Sequence, residues 1–242
     1  MIAFLVKAFD VVLYQPLFNF LVLIYNYFPG HDFGISIIIL TLVIRFVLYP
    51  STVKAIKTQK ALGEIQPKLQ EIQKKYKDDK EKQVKETLDL YKQAKINPLG
   101  SLLPTLIQLP LLIALYRVFW NGFKPEALVN LYGFVFNPGY INASFIGLID
   151  LSKPSLILAV IAGIFQFIQS KTAMPITKKK DGSGPDFANI MQKQMIYFFP
   201  FLTVIILMGL PSALGLYWAV GSAFMIVQQY LIFKKPKLEG IK

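Results

Sequence analysis

The 242-residue chain has no cysteine and one histidine. Disulfides, thiolate metal sites and cysteine nucleophiles are therefore excluded. His31, beside Pro29-Gly30, would be a metal ligand without a partner and reads as a solvated loop residue. Carboxylates are also few, 14 Asp and Glu against 26 Lys and Arg, and none falls in the five apolar spans placed below. Paired intramembrane carboxylates are thus missing, as are a glycine-rich phosphate loop, a histidine within a span and an intramembrane lysine that could pair with a serine. No catalytic constellation survives and no cofactor is called for. The pattern indicates binding and conduction, not an enzyme.

Apolar sequence is abundant: 54% of residues are hydrophobic, 14% are aromatic, and the mean hydropathy is +0.48. Crossing a bilayer takes about 20 predominantly apolar residues. Five stretches approach that length: Gly34–Tyr49, Leu99–Phe119, Pro154–Gln169, Met195–Gly209 and Ala213–Phe233. The chain is expected to be an all-α integral membrane protein. The net charge of +12 does not by itself imply nucleic acid, because the lysines are clustered. Twelve basic residues fall between Lys54 and Lys95, five between Lys171 and Lys193, and four between Lys234 and Lys242. These blocks lie between or after alternate spans, as cytoplasmic segments do. The loop from Trp120 to Lys153 then faces outward and the C-terminus ends inside. DNA is not an expected partner, and contact between the basic tail and ribosomal RNA is compatible but not required.

Residues 1–33 hold an apolar stretch with Lys7, Asp10, Gln15, Pro16, Asn19 and Asn26. It reads as a helix lying in the interface, with a sixth span as the alternative. No small-x-small site follows an early apolar core, so a cleavable signal is not expected. The core is assigned to 34–233. Within 54–95, Leu62, Ile65, Leu69, Ile72 and Tyr76 form a heptad stripe that Val84, Leu88 and Tyr91 resume after Asp78-Asp79. This predicts an antiparallel helical hairpin in the cytoplasm, with Pro67 marking where the first span's extension gives way to it. The segment 171–193 reads as a solvated loop and 234–242 as a short basic tail.

Arg45 is the anomaly. It keeps its proton under any biological condition, and near the centre of a spanning helix it costs about 2.5–3.5 kcal/mol on insertion scales. It lies roughly 16 Å from Gly34 along the helix but only about 7–8 Å from Pro50, so snorkelling to the headgroups competes with burial. With no carboxylate in the five spans, the guanidinium needs water, carbonyls, amides or a substrate, and a hydrated cavity is expected. Thr41 shares its helix face. Gln108, Gln166, Gln169, Tyr217 and Trp218, followed by Ser222, are candidates for the lining, while Gly215, Ala219 and Ser222 suit close helix packing. Pro104 and Pro110 should kink the second span.

These residues resemble the YidC/Oxa/Alb family of membrane protein insertases. The resemblance rests on Gly34-Ile35-Ser36 through Thr41 and Arg45 to Tyr49-Pro50; on Ile96-Asn97-Pro98-Leu99-Gly100 followed by Leu103-Pro104, Gln108-Leu109-Pro110 and Ala114-Leu115-Tyr116; on Met191-Gln192-Lys193-Gln194-Met195 before Pro200; and on Pro211-Ser212 to Leu216-Tyr217-Trp218. Ser101-Leu102 departs from a frequent Gly-Cys. By this resemblance the chain is expected to be of the type without the long extracytoplasmic domain and lipoprotein cysteine that some members carry.

The resemblance implies five core helices around a hydrophilic groove open to cytoplasm and lipid. Arg45 would be the groove charge, lined by Thr41, Trp218 and one of the third-span glutamines: Gln169 by its position before the polar loop, or Gln166. The implied partners are nascent membrane proteins and the lipid bilayer of a bacterial inner membrane, with the ribosome and Sec translocon left open. A small-solute or anion transporter and a non-catalytic assembly scaffold are the alternative functions.

Overall fold

The computed structural model describes residues 2–28, 30–97, 100, 103–173 and 193–234. The expected 171–193 loop, for the most part, and the 234–242 tail beyond Lys234 lie outside these residues. So does the start of the motif at Met191-Gln192. The rest is all-α apart from one small hairpin.

Helix α1 is continuous through three segments: Ile2–Phe9, a π-helical turn at Asp10–Tyr14, and Gln15–Tyr27 with Pro16 in its first turn. It is long and apolar enough to cross a membrane, as are α6 (Leu156–Ala173) and α8 (Ser212–Lys234). Helix α2 covers Phe33–Val47, and the Asp32 carboxylate caps it by accepting from Ile35 N at 2.9 Å. Charged helices α3 (Tyr49–Lys75) and α4 (Lys80–Gln93) follow, then α5 (Leu103–Asn121). Helix α7 joins a π turn at Gln194–Phe198 to Phe199–Leu207. A turn at Gly209-Leu210-Pro211 sends the chain back into α8. All five expected spans are helical, with ends shifted by a few residues.

The first break falls elsewhere than expected. Helix α3 continues through Pro67, and the 65° bend lies at Leu48, between α2 and α3. Pro50 explains this. It has no N–H to give to Phe46 O, and its ring clashes with that carbonyl, whereas in the first turn of a new helix it costs nothing. Pro67 makes the same demand on Gly63, but on a helix surface where water can satisfy the freed carbonyl. The hairpin stripe is also only half right. Leu62, Ile65, Leu69 and Ile72 are partly covered, but Val84 and Leu88 are 58% and 52% exposed. Gln83, Thr87, Leu90 and Tyr91 are the better-covered residues of α4.

Helix α8 is central, packing most extensively on α6 and next on α2. Glycines allow the close approaches: a methyl group on Gly163 would collide with Val204 of α7, and one on Gly215 would touch Leu158 of α6. The densest core lies at the end where α5 meets the 122–155 loop. There Phe33 packs on Phe123 and Phe119, with ring centroids 4.9 and 6.4 Å apart, and Phe18, Leu115 and Leu151 are wholly buried.

The loop seals this end. Its short strands β1 (Ser144–Phe145) and β2 (Ile149–Asp150) pair antiparallel, and Phe145 covers Gly34. Ile146 N donates to Asp32 Oδ2 at 2.5 Å, and Ser212 N and Ala213 N donate to Lys153 O and Leu151 O at 2.9 and 3.1 Å. Along α1, Asn19 Nδ2 donates to Asn130 O, Asn26 Nδ2 to Phe136 O, and Asn142 N to the Tyr25 hydroxyl.

Candidate functional site

Arg45 meets α8 at Gly221. A Cβ built there would stand 2.5 Å from Arg45 Nη2 and 3.2 Å from Cζ, so the guanidinium fills the space that a side chain at 221 would take. Gly221 is the tenth of 23 residues in α8. The charge is therefore close to the middle of a helix roughly 34 Å long, and not extended to either end. Phe46 and Phe224 stack edge to face beside it, with centroids 5.4 Å apart, and tie the two helices in register.

The guanidinium is unmatched. Among the described residues Arg45 forms no ion pair, and its buried Nε has no hydrogen-bond partner. Such a group is costly unless something else satisfies it. Tyr217, one turn earlier on α8, is close enough to interact electrostatically with the charge. Its hydroxyl accepts from Gln108 Nε2 of α5 at 2.9 Å.

Two polar stripes run along α8. Tyr217, Gly221 and Gln228, spaced four and seven apart, share one face; they meet Gln108, Arg45 and Thr52. Gln228 Nε2 donates to Thr52 Oγ1 at 2.8 Å, with both residues buried. Trp218 and Gln229, eleven apart, share the adjoining face and meet α6. There Trp218 Nε1 donates to Gln166 Oε1 at 2.9 Å, and Gln229 Oε1 accepts from Thr172 Oγ1 at 2.6 Å. The stripes begin at Tyr217 and Trp218, over a turn past the loop-bonded start of α8, and run on to Gln228 and Gln229 near its other end.

Of the expected lining residues, Gln166 and Trp218 are brought together. Gln169 is half-buried one turn on, and its carbonyl lies 2.9 Å from Thr172 Oγ1, sharing that hydroxyl with Gln229. Thr41 is wholly buried, its hydroxyl bonded back to Ile37 O at 2.6 Å within its own helix. Its side chain thus offers shape to the site and not a free donor.

Gln228, Gln229, Thr52 and Thr172 were not anticipated. Adjacent glutamines inside an apolar helix are the signal that could have found them, although their partners are far away in sequence. A second intrahelical arginine was also missed: Arg117 of α5 is paired with Asp10 of α1. Asp10 lies on the π turn of α1, within an otherwise apolar run.

Between α5 and α7 an apolar cleft of about 280 Å³ is lined by Leu112, Ile113, Tyr116, Ile206, Leu210 and Trp218. Trp218 thus has its indole nitrogen on the polar stripe and its ring against the cleft.

Residues 23–239 match the family model described as 60Kd inner membrane protein. Among similar proteins is the membrane protein insertase YidC of Fusobacterium nucleatum, 36% identical over 204 residues, which are 84% of this chain and 87% of that protein. The YidC of Oceanobacillus iheyensis is 38% identical, covering 85% of this chain and 76% of its own length. That of Wigglesworthia glossinidia brevipalpis is 34% identical over 94% of this chain but only 38% of its own longer sequence. With these relatives and its several apolar helices, the chain belongs to the YidC/Oxa family of multi-pass membrane proteins.

Proposed function

We propose that the protein is an insertase that carries hydrophilic tails of newly made membrane proteins partway across the bacterial inner membrane and releases their apolar segments into lipid. The observation that carries this reading is the partly buried guanidinium of Arg45, set against the middle of α8 with its Nε buried and unbonded and with no carboxylate partner among the described residues. Each backbone polar group stripped of partners in hydrocarbon costs several kcal/mol. A polar surface reaching toward the membrane centre removes part of that cost. A fixed positive charge in a low-dielectric wall attracts an acidic tail more strongly than water would permit. The tail's carboxylate would supply the counter-charge that the bundle lacks.

The two stripes of α8 place polar groups, already bonded to Gln108, Thr52, Gln166 and Thr172, in the wall beside Arg45, and the apolar cleft at Trp218 gives the following hydrophobic segment a dry surface beside them. The sealed loop end suits a groove closed on the outside. The lysine-rich α3–α4 hairpin would then face the cytoplasm, by the preference of Lys and Arg for that side, and receive the chain. Helix α1 lies along the outer interface in this reading. From Asn19 to Asn26 it is bonded to loop backbone, and irregular backbone is not tolerated against lipid.

The test is insertion into liposomes containing only the purified protein, using a single-span client with a short acidic tail. Insertion above empty liposomes is expected. No difference from empty liposomes would refute an autonomous insertase.

A further inference from the structure

A second polar site lies at the loop end of α5. A cavity of about 300 Å³ opens between α1, the last turn of α5 and the 3₁₀ turn at Pro125–Asn130, lined by Asp10, Gln15, Arg117, Asn121, Lys124 and Glu126. This is at the lower end of small-ligand cavities, which run about 300–1,000 Å³. Its depth is set by Tyr116 and Trp120, stacked with centroids 5.6 Å apart one turn from the helix end. Tyr and Trp mark the headgroup level of a bilayer.

The internal charges are partly matched. Arg117 Nη1 donates to Asp10 Oδ1, and the guanidinium lies 4.9 Å from the Tyr14 ring, which covers that aromatic face. Lys124 and Glu126 form no ion pair among the described residues. Lys124 Nζ reaches only Asn121 Oδ1, at 3.4 Å. The cavity thus holds a spare cation and a spare anion, with Asp10 and Arg117 cancelling each other behind them.

We infer that this cavity binds a phospholipid headgroup carrying a primary ammonium beside its phosphate. The phosphate lies between Lys124 and the remaining Arg117 donors, and the ammonium lies against Glu126. A site of zero net charge with separated poles fits a zwitterion better than a singly anionic headgroup. An ammonium also gives three hydrogen bonds, which the methyl groups of choline cannot. Choline is held instead by open aromatic faces, and Arg117 occupies that of Tyr14.

The test is native mass spectrometry of the detergent-solubilised protein with equimolar phosphatidylethanolamine, phosphatidylcholine and phosphatidylglycerol. Phosphatidylethanolamine should be retained about fivefold or more over each of the others, a gap of roughly 1 kcal/mol. The double variant Lys124→Ala, Glu126→Gln, at two exposed rim positions, should remove the preference while leaving the helical circular dichroism unchanged. Equal retention of the three lipids, or a preference that survives the double variant, would overturn the proposal. Displacement of the lipid by soluble glycerophosphoethanolamine at submillimolar concentration would likewise overturn the assignment to a bilayer lipid. None of these outcomes depends on insertion activity.

Discussion

A methyl group at position 221 would probe Arg45 without changing any charge. In Gly221→Ala the new Cβ would displace a guanidinium that now lies 2.5 Å from that point. Insertion of an acidic-tailed client should fall toward the level of Arg45→Ala, although the arginine is still present. Client insertion by the variant in liposomes, measured at equal protein content, checks this. Gln228→Leu should act on stability. It leaves Thr52 with only its 2.9 Å bond to Tyr49 O and should lower unfolding stability by about 1–3 kcal/mol, read from thermal melts in detergent. Arg45 was legible in the sequence because an arginine stands out in an apolar run. Its contact with Gly221 was not, because a glycine with a ligand-like neighbour looks the same as one that permits helix packing. Arg117 and Asp10 were hidden for a related reason: 107 positions separate them, and only the fold shows that each is the other's partner.

At the scale of elements, the apolar helices could be read from length and composition, although of the five expected spans only α6 and α8 are by themselves long and apolar enough to cross a membrane, and α1, expected in the interface, is as well. The position of the bend could not be read, because two prolines compete for it. The bend falls just before Pro50, at Leu48, and the helix continues through Pro67. Pro50→Ala restores a donor for Phe46 O and should reduce the 65° angle between α2 and α3, seen as a longer spin-label distance between the start of α2 and the hairpin tip. The α4 stripe was misread because heptad spacing identifies a face without saying whether anything covers it. In the sealing loop, the Asp150 carboxyl is held below the usual carboxylate range, chiefly by the Ser152 hydroxyl donating at 2.5 Å and also by the adjacent Lys153. A depressed value means that its contribution to the turn is present above the unfolded carboxylate pKa and is lost as pH falls through the folded one. Nuclear magnetic resonance of labelled Asp150 should give a midpoint below that of a free aspartate, and Ser152→Ala should move it upward.

For the whole molecule, the two ends of the bundle differ in kind. One is closed by aromatic packing and a hydrogen-bonded loop; toward the other, α8 carries the buried glutamines Gln228 and Gln229, and near its middle it meets the Arg45 guanidinium of α2. Such an asymmetric interior suits a path that begins on one side and stops partway. If Arg45 works by charge, its effect depends on the client and not only on the protein. The most direct measurement is insertion of two matched clients, one with an acidic tail and one with a neutral tail, by the native protein and by Arg45→Ala in liposomes. The account predicts that the substitution slows the acidic-tailed client far more than the neutral one. Equal rates for native protein and variant with both clients would contradict it.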